Sequence, residues 1–342
     1  MKLTQFARSA GCAGKLAPGV LDAALKTIPR QNLPGVVVGY ENSDDAGVFQ
    51  LTSDITVVQT VDYFPPMVDD PYTFGQIAAA NALSDVYAMG GQPKTALSIV
   101  GFPAAGVDFS VLGDIMRGGI DKLNEAGVAL LGGHSVRDDE IKFGYAITGT
   151  IATKDIKQNS GAQAGNRIIL TKPLGIGLIT TAVKRGQPQP EHVHAAIAAM
   201  LQLNRRAAEI CLGFPVDAMT DVTGYGLAGH GIEVAKASHV SIEIDHRQIP
   251  LLPGALEYSR AGFCAGGLTN NREFFGPSVS ISDSVPPDMQ NVLFDPQTSG
   301  GLLVFCRPDA ADALLGKLQS EGITAVEIGF IAAPAERLLT LN

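Results

Sequence analysis

The chain has 342 residues, of which 46% are hydrophobic and only 17% charged, and its net charge is −9. At roughly 150 residues per domain, this length predicts two domains, each with enough apolar residues for a core. The acidic balance disfavours nucleic acid and anionic lipid as main partners, because both are negatively charged.

No apolar run approaches the length of a membrane span, and Lys2 is not followed by the apolar segment of a signal peptide. The four cysteines are scattered and form no C-x-x-C pair, which is typical of proteins in a reducing compartment. We therefore expect a cytoplasmic protein with no membrane partner.

The first half alternates between predicted strands and helices. Helices are predicted at 18–28, 72–89 and 111–125, and strands at 36–38, 47–51, 55–64, 95–103, 127–135 and 142–151, with the fifth strand running into a glycine turn. Asp62 is expected near a strand end. Asn81 and Asp85 are four residues apart, so they share one face of the second helix.

The polar stretch 152–166 is the predicted domain linker. The second half then starts with a strand at 167–175 and continues with helices to about Cys211. A turn rich in glycine follows Asp221, a further strand is predicted at 240–246, and an αβ unit closes the chain. Strands and helices mix in both halves, which predicts two α/β or α+β domains.

Five aspartates are predicted where strands, loops and helices end: Asp44, Asp45, Asp62, Asp85 and Asp221. The chain has no G-x-x-x-x-G-K-[ST] loop, so a nucleoside triphosphate needs other contacts. Converging carboxylates repel one another unless a cation lies between them, and Mg²⁺ binds carboxylate and phosphate oxygens together. The set predicts a site for Mg²⁺ and ATP phosphates. Taken singly, each aspartate also fits a turn or a solvated helix position.

Three glycine-containing stretches are candidates for ligand contact. Gly224–Gly229 reads G-x-G-x-x-G, but Asp221 just before it would repel a pyrophosphate, so a phosphate- and metal-facing turn at a helix start is favoured over dinucleotide binding. Gly132–Ser135, and Thr298 with Ser299, offer backbone amides and hydrogen-bond donors. The alternative for each is an ordinary turn.

The N-terminal stretch SAGCAGK places Cys12 three residues before Lys15. A nearby ammonium group lowers the pKa of a thiol and can neutralise a transferring phosphoryl group. The flanking glycines suit a segment that closes over a site as a lid. The alternative is a disordered tail in which Cys12 has no role.

Seven stretches occur in the order AGCAGK, ENSDDAGV, the run from Val61 to Gly91, LLGGHS, LTKPLGIG, AMTDVTGYGLAGH and FDPQTSGGLL. In this order they resemble the selenophosphate synthetase (selenide, water dikinase) family over nearly the whole chain. The wider superfamily, which includes aminoimidazole ribonucleotide synthetase, shares the acidic ATP-binding architecture but not the Cys-Lys segment.

The resemblance implies an α/β (α+β) fold of the aminoimidazole ribonucleotide synthetase-like type. It implies a flexible, glycine-rich catalytic lid at 1–17, an N-terminal ATP- and Mg²⁺-binding and dimerisation domain at 18–156, and a C-terminal αβ domain at 157–342. In the implied homodimer, the N-terminal domains pair into a β-barrel and the C-terminal domains are αβ sandwiches that flank it.

The resemblance also implies roles for the candidate residues. The implied reaction is ATP-dependent synthesis of selenophosphate from selenide with release of AMP and phosphate, and Cys12 and Lys15 are the implied catalytic residues. The implied Mg²⁺ ligands are Asp45, Asp62, Asp85 and Asp221. The implied nucleotide contacts are Lys15, Asn42, Ser43, Asp44, Asp62, Asp85, Gly133, His134 and Ser135. A monovalent cation such as K⁺ and a selenium-delivery protein are further implied partners.

Two positions depart from the family pattern. Many members carry a second cysteine where Gly14 stands, so a mechanism with two thiols at this site is unavailable here. Arg8 occupies a position that is histidine in some members, so no base stands there. Three other functions stay open: another small-molecule kinase or synthetase of the superfamily, an NAD(P)-dependent oxidoreductase built on Gly224–Gly229, and a partner protein that binds ATP without turnover.

Overall fold

A computed structural model describes residues 2–29 and 33–342. Met1 of the predicted lid and residues 30–32 of the predicted first domain lie outside the described residues. The strands of the first half are β1 (Val36–Val38), β2 (Gly47–Gln50), β3 (Thr56–Phe64), β4 (Gln92–Phe102), β5 (Ala129–Arg137) and β6 (Lys142–Thr150). Its helices are α1 (Pro18–Leu25), α2 (Pro71–Ala88) and α3 (Phe109–Ala126).

The second half has a similar mixture of elements, which confirms the predicted mixed α/β fold. Its strands are β7 (Arg167–Leu170), β8 (Val216–Asp221), β9 (Ser241–Ile244), β10 (Val279–Ile281), β11 (Leu302–Cys306), β12 (Val326–Ala332) and β13 (Leu339–Leu341). Its helices are α4 (Ile176–Lys184), α5 (Pro190–Leu201), α6 (Arg205–Cys211), α7 (Gly226–Ser238), α8 (Ala255–Arg260), α9 (Gly266–Phe275), α10 (Pro287–Phe294) and α11 (Pro308–Ser320). None of the described helices combines the length and apolar character that a membrane crossing needs.

The first sheet has six strands in the order β1-β2-β3-β6-β4-β5. Its neighbours are antiparallel except for the parallel pair β4–β5, which α3 connects. Helix α2 packs on β3 and β6 and against α3. Asp70 caps α2 by accepting a hydrogen bond from the Thr73 N–H at 2.8 Å, and Pro71 takes the first helical position. The capped helix places its middle turns over β3.

The face of this sheet opposite α2 carries exposed apolar side chains. Val61, Tyr63 and Leu97 are 55%, 52% and 48% exposed, whereas the alternate residues Asp62 and Phe64 point towards α2 and are buried. We call this surface the open sheet face and define it by Val61, Tyr63, Leu97 and their neighbours across the strands. Exposed apolar patches of this kind mark interaction surfaces.

Strand β5 differs from the sequence prediction. It continues through the glycines to Arg137, where a turn was predicted, and a register shift opposite Ala96 and Leu97 absorbs the irregularity. The pairing register aligns Tyr63, Gly144, Ile99 and His134 in one row across β3, β6, β4 and β5. His134 therefore lies on the open sheet face and not in a turn.

The second sheet has seven strands in the order β10-β13-β9-β12-β7-β11-β8. Strand β11 runs antiparallel to both β7 and β8, and all five of its residues are buried. The register pairs Leu302 with Asp221, so the turn that precedes β11 lies beside the end of β8. This arrangement brings two of the sequence motifs together.

The N-terminal segment, residues 2–17, packs against the rest of the chain. It forms short 3₁₀ turns at Leu3–Phe6 and Gly11–Gly14, in which Leu3 and Cys12 are buried. The Gly11 N–H donates to the Pro65 carbonyl at 3.1 Å, and the Thr4 hydroxyl donates to Asp69 at 2.6 Å. These contacts give the segment a defined position. Its action as a lid stays a prediction.

The predicted linker is more ordered than its composition indicates. It contains 3₁₀ turns at Thr153–Asp155 and Asn159–Gly161, and Asn159 is buried. Asn159 accepts a hydrogen bond from Ser238 at 2.6 Å and donates one from its side chain to the Ser43 carbonyl at 2.8 Å. The segment therefore joins α7 to the loop between β1 and β2.

The DPQTSGG stretch holds the start of α4 through its first residues. Asp295 accepts hydrogen bonds from the Gly177 and Leu178 N–H groups at 3.0 and 3.2 Å. Gln297 accepts from the two preceding N–H groups at 3.2 and 3.1 Å. These two side chains satisfy four amides that a helix start leaves unpaired. The ligand-approach turn expected from the sequence is thus partly a helix anchor.

This anchor predicts a pH effect on stability. Burial raises the pKa of Asp295 to about 7 from 3.8, although hydrogen bonds from Gln297, Leu178 and Gly177 oppose the rise. A folded-state pKa above the unfolded one stabilises the fold fully below about pH 4, and that stability is lost as pH rises through about 7. Asp295→Asn keeps an oxygen acceptor but cannot ionise, so it should lose less stability than the wild type between about pH 5 and about pH 8.

Urea unfolding at both pH values measures this difference, which we expect to be on the order of 2 kcal/mol. Asp312→Asn is the matched control, because the Asp312 side chain is 83% exposed. Equal pH dependence in Asp295→Asn and the wild type would contradict the prediction.

Candidate active site

Strand β3 and helix α2 bring Asp62 and Asn81 side by side. The Asn81 side chain donates to Asp62 Oδ2 at 2.6 Å, and Lys15 Nζ lies 3.2 Å from Asp62 Oδ1. Burial alone would lower the pKa of Lys15, but the surrounding negative charges, Asp62 foremost, raise it well above its ordinary value. Lys15 therefore stays an ammonium group and is 35% exposed on its side chain.

Cys12 is fully enclosed between the two domains. Its N–H donates to Thr298 Oγ1 at 3.1 Å, and its Sγ lies 3.5 Å from Asn81 Oδ1, which also accepts from the Ser299 N–H at 2.8 Å. Burial raises the pKa of the Cys12 thiol to about 12, although the Lys15 charge lowers it. The effect predicted for Lys15 is present but smaller than that of burial, so the thiol is protonated at neutral pH.

The remaining predicted Mg²⁺ ligands are Asp45, Asp85 and Asp221, of which Asp85 and Asp221 are buried and Asp45 is half-buried. Thr220 donates to Asp45 Oδ1 at 2.7 Å, Ser84 donates to Asp221, and Thr60 donates to Asp85. Since Ser84 lies on α2 and Asp221 ends β8, this contact joins the two domains. Hydroxyl groups thus hold one oxygen of each carboxylate.

Burial and mutual repulsion disfavour the ionised form of these carboxylates. Burial is the main cause that raises the pKa of Asp45, Asp85 and Asp221, and the Asp221 charge raises the pKa of the other two further. The Oδ2 atoms of Asp44 and Asp45 are buried without a hydrogen-bond partner. A divalent cation with oxygen preference relieves both problems, so the donor set fits Mg²⁺.

Among residues 2–29 and 33–342, no group of three or more histidine, cysteine, aspartate or glutamate side chains already surrounds a single point. The carboxylates are close enough to perturb one another, but they are not arranged as a finished cation site. The assignment of the four aspartates to Mg²⁺ therefore stays a prediction.

Apart from Lys15, Asp62 and Asp85, the predicted nucleotide contacts fall in two places. The loop Asn42–Asp44 adjoins Asp45, and Asn159 fixes it with an N–H that donates to Asp44 Oδ1 at 2.7 Å. Gly133–Ser135 lie on β5, three strand spacings or about 14 Å from β3. His134 is also on the open sheet face, whereas Asp62 points to the other side. One chain does not bring these two groups together.

A cavity of about 450 Å³ opens beside Lys15. Its lining includes Lys15, Asp62, Tyr63, Lys142, Tyr225 and His230. Gly224 lets the N-terminal segment cross here, since a Cβ at this position would meet the Lys15 side chain and the Cys12 carbonyl. The cavity is thus bounded by both domains and by the N-terminal segment.

Sequence reasoning left three residues of this region without a role. Asn81 was noted only for sharing a helix face with Asp85. Tyr225 and His230 lie in DVTGYGLAGH, a stretch in which only the glycines and Asp221 were assigned a role. A polar residue in a nearly uncharged helix was the available signal for Asn81. The histidine that follows the glycine turn was the signal for His230.

Comparison with known proteins agrees with this geometry. The sequence models of AIR synthase related protein match residues 43–151 (N-terminal domain) and 163–338 (C-terminal domain). The solved structure of AaThiL complexed with AMPPCP and TMP covers 100% of this chain and 95% of its own, with a TM-score of 0.67 at 17% identity. The fold and site thus define an AIR synthase-related protein.

Full-length relatives are much closer in sequence. Selenide, water dikinase from Pelobacter propionicus is 47% identical over 341 residues, covering 99% of this chain and 98% of the relative. The Geobacter metallireducens protein of the same name is 44% identical over 342 residues, covering 100% and 99%. The chain belongs to the selenide, water dikinase family.

The enclosure of Cys12 predicts slow chemical modification. With a thiol pKa of about 12 and almost no exposure, Cys12 should react with iodoacetamide at about pH 8 at least about 100-fold more slowly than free cysteine. Peptide mass spectrometry gives the rate at each cysteine, and the half-buried Cys264 serves as the internal reference. Labelling of Cys12 ahead of Cys264 would contradict this arrangement of the N-terminal segment.

Proposed function

We propose that this chain catalyses ATP-dependent synthesis of selenophosphate from selenide, with release of AMP and phosphate. One observation carries the proposal: Cys12 and Lys15 are held against Asp62 and Asn81 at a cluster of buried aspartates. The relatives named selenide, water dikinase support it. Their sequence similarity extends over nearly the whole chain and is not limited to the ATP-binding residues.

The reaction consists of two displacements at phosphorus. Selenium attacks the γ-phosphorus of ATP, so an Se–P bond forms while the P–O bond to ADP breaks. Water then attacks the β-phosphorus of ADP, which releases AMP and phosphate. The overall balance is ATP, selenide and water on one side, and selenophosphate, AMP and phosphate on the other. Both steps depend mainly on positioning and charge neutralisation.

The residues of the site can meet these requirements. Asp45, Asp62, Asp85 and Asp221 would hold Mg²⁺, which when bound neutralises the phosphate charge. Lys15 remains cationic and faces the cavity, so it is placed to stabilise charge on a transferring phosphoryl group. Cys12 either delivers selenium or holds selenide or an intermediate, and its enclosure keeps water away.

We infer further that the protein is a homodimer joined through the open sheet face. Leu97 lies in the fourth and Val61 and Tyr63 in the third strand of a sheet whose other face is covered by helices. A second copy would bury these side chains and close the two sheets into a barrel. Gly133, His134 and Ser135 would then contribute to a nucleotide site completed by the second copy.

The other expectations remain part of this proposal. All four cysteines are free thiols, which suits a reducing compartment such as the cytoplasm. A monovalent cation such as K⁺ and a selenium-delivery protein remain predictions.

Phosphorus-31 NMR of the protein with ATP, Mg²⁺ and selenide, kept anaerobic under reductant, tests the reaction. We expect a phosphorus signal coupled to selenium, with AMP and phosphate appearing in equal amounts. ADP as the final product, or no turnover without another acceptor, would instead indicate another ATP-dependent kinase or synthetase of the same class.

Cys12→Ala tests the role of the thiol in the same assay. We expect selenophosphate formation to fall by on the order of 100-fold while ATP binding persists, because the nucleotide contacts are retained. Cys264→Ala is the matched control, since Cys264 is a free thiol outside the site. Full activity of Cys12→Ala with free selenide would exclude an obligatory thiol.

Leu97→Asp tests the dimer. A carboxylate in the middle of the open sheet face would have to be buried by a second copy, so we expect a monomer in sedimentation equilibrium at about 10 µM chain. Phe109→Asp is the control, because Phe109 is 71% exposed on α3, away from this face. A dimer that survives Leu97→Asp would place the interface elsewhere.

A further inference from the structure

His230 and Glu233 form a largely buried pair on α7, and His230 lines the cavity beside Lys15. His230 Nδ1 lies 3.1 Å from Glu233 Oε2, and the two side chains are only 10% and 16% exposed. His230 belongs to the cavity lining together with Lys15 and Asp62. Among the described residues that line this cavity, His230 is the only histidine.

The contacts of the ring indicate which tautomer it adopts. His230 Nε2 lies 3.4 Å from the Tyr225 backbone nitrogen, which can only donate, and 3.3 Å from Thr223 Oγ1. Nε2 must therefore carry a lone pair, and the proton of the neutral ring is on Nδ1, facing Glu233. Both Nε2 contacts are long, so this lone pair is only weakly engaged.

The pair has the arrangement of a general base with its orienting group. A carboxylate on Nδ1–H fixes the ring tautomer and stabilises the imidazolium that forms when Nε2 takes up a proton. The Tyr225 ring stacks on the imidazole with centroids 5.5 Å apart and a 27° interplanar angle, which restrains its orientation. If His230 only held the Thr223–Tyr225 turn in place, the imidazole ring would be sufficient. A largely buried carboxylate next to Nδ1 would then have no function.

The two displacements differ in their need for a base. Selenide is already an anion at neutral pH, so its attack requires no proton acceptor. Water must lose a proton as it attacks the β-phosphorus. The carboxylates near Lys15 are the proposed Mg²⁺ ligands, which leaves His230 as a free proton acceptor in the cavity.

We propose that His230 is the general base of the ADP-hydrolysing step, with Glu233 as its positioning residue. Water forms the new O–P bond, the P–O bond to AMP breaks, and the water proton goes to His230 Nε2. The imidazolium then returns this proton to solvent or to the departing phosphate. The inference rests on the proposed function, because it concerns the second step of that reaction.

Single-turnover reactions followed by phosphorus-31 NMR of quenched samples test the assignment. In His230→Asn and His230→Gln, ADP should accumulate along with selenophosphate, and AMP should form at least about 100-fold more slowly than in the wild type. Two variants are measured so that a folding defect in one does not decide the result. Glu233→Gln should slow AMP formation less, because the ring remains.

His192→Asn is the matched control, because His192 is a partly buried histidine that does not line the cavity. Its Nδ1 lies 3.1 Å from the Tyr258 hydroxyl. It should keep the wild-type ratio of AMP to selenophosphate. A nitrogen-15 NMR measurement of the His230 ring gives an independent readout: the Nδ1–H tautomer is expected, and Glu233→Gln should shift it towards a mixture of tautomers.

Two results would overturn the assignment. One is AMP formation in the His230 variants that keeps pace with selenophosphate, and the other is an equal fall of both steps, which indicates a purely structural role. A wild-type protein that makes no selenophosphate would instead refute the proposed function, so the two failures are distinguishable.

Discussion

The site depends on one buried amide, that of Asn81. It donates to Asp62 on β3, accepts from the Ser299 N–H in the turn before β11, and lies 3.5 Å from the Cys12 thiol. The amide supplies a donor and an acceptor at this point without adding charge. An aspartate would repel Asp62, and an aliphatic residue would leave the Ser299 N–H unpaired. The two domains and the N-terminal segment therefore share one anchor.

Around this amide the fold brings several aspartates together in a buried place, where burial opposes their ionisation. The hydroxyls of Thr60, Ser84 and Thr220 each donate to one oxygen of a carboxylate, but they bring no positive charge. Lys15 is the cation that the N-terminal segment supplies, and its pKa is raised because of that surrounding. The N-terminal segment is therefore held by electrostatic attraction as much as by packing. A bound divalent cation would change the attraction between Lys15 and the carboxylates.

Much of the fold and part of the site could be predicted from the sequence, for local reasons. Helix α2 ends at the glycine pair Gly90–Gly91, and β3 has β-branched residues, so both were placed within a few residues. Strand β5 was misjudged because its glycines indicate a turn when the pairing to β4 is unknown. The function of Asp295 depends on α4, more than a hundred residues away in sequence, so no local pattern shows it. The chemistry of the aspartates predicted a site for Mg²⁺ and ATP phosphates, but the role of each aspartate and that of Cys12 came from family resemblance. Residue type and spacing left simple turns and a disordered tail open as alternatives.

The two reactive groups of the N-terminal segment face different surroundings. Lys15 is 35% exposed towards the cavity, whereas Cys12 is 1% exposed and faces Asn81. If Cys12 carries selenium to a phosphoryl group beside Lys15, the 3₁₀ turn at Gly11–Gly14 has to rotate or unwind. This movement breaks the contacts of the Cys12 N–H with Thr298, of the Cys12 thiol with Asn81 and of the Gly11 N–H with Pro65, each of which costs about 1 kcal/mol. We predict that this movement occurs about Gly11, whose φ of +52° is a conformation that glycine adopts without strain, while both sheets stay as they are.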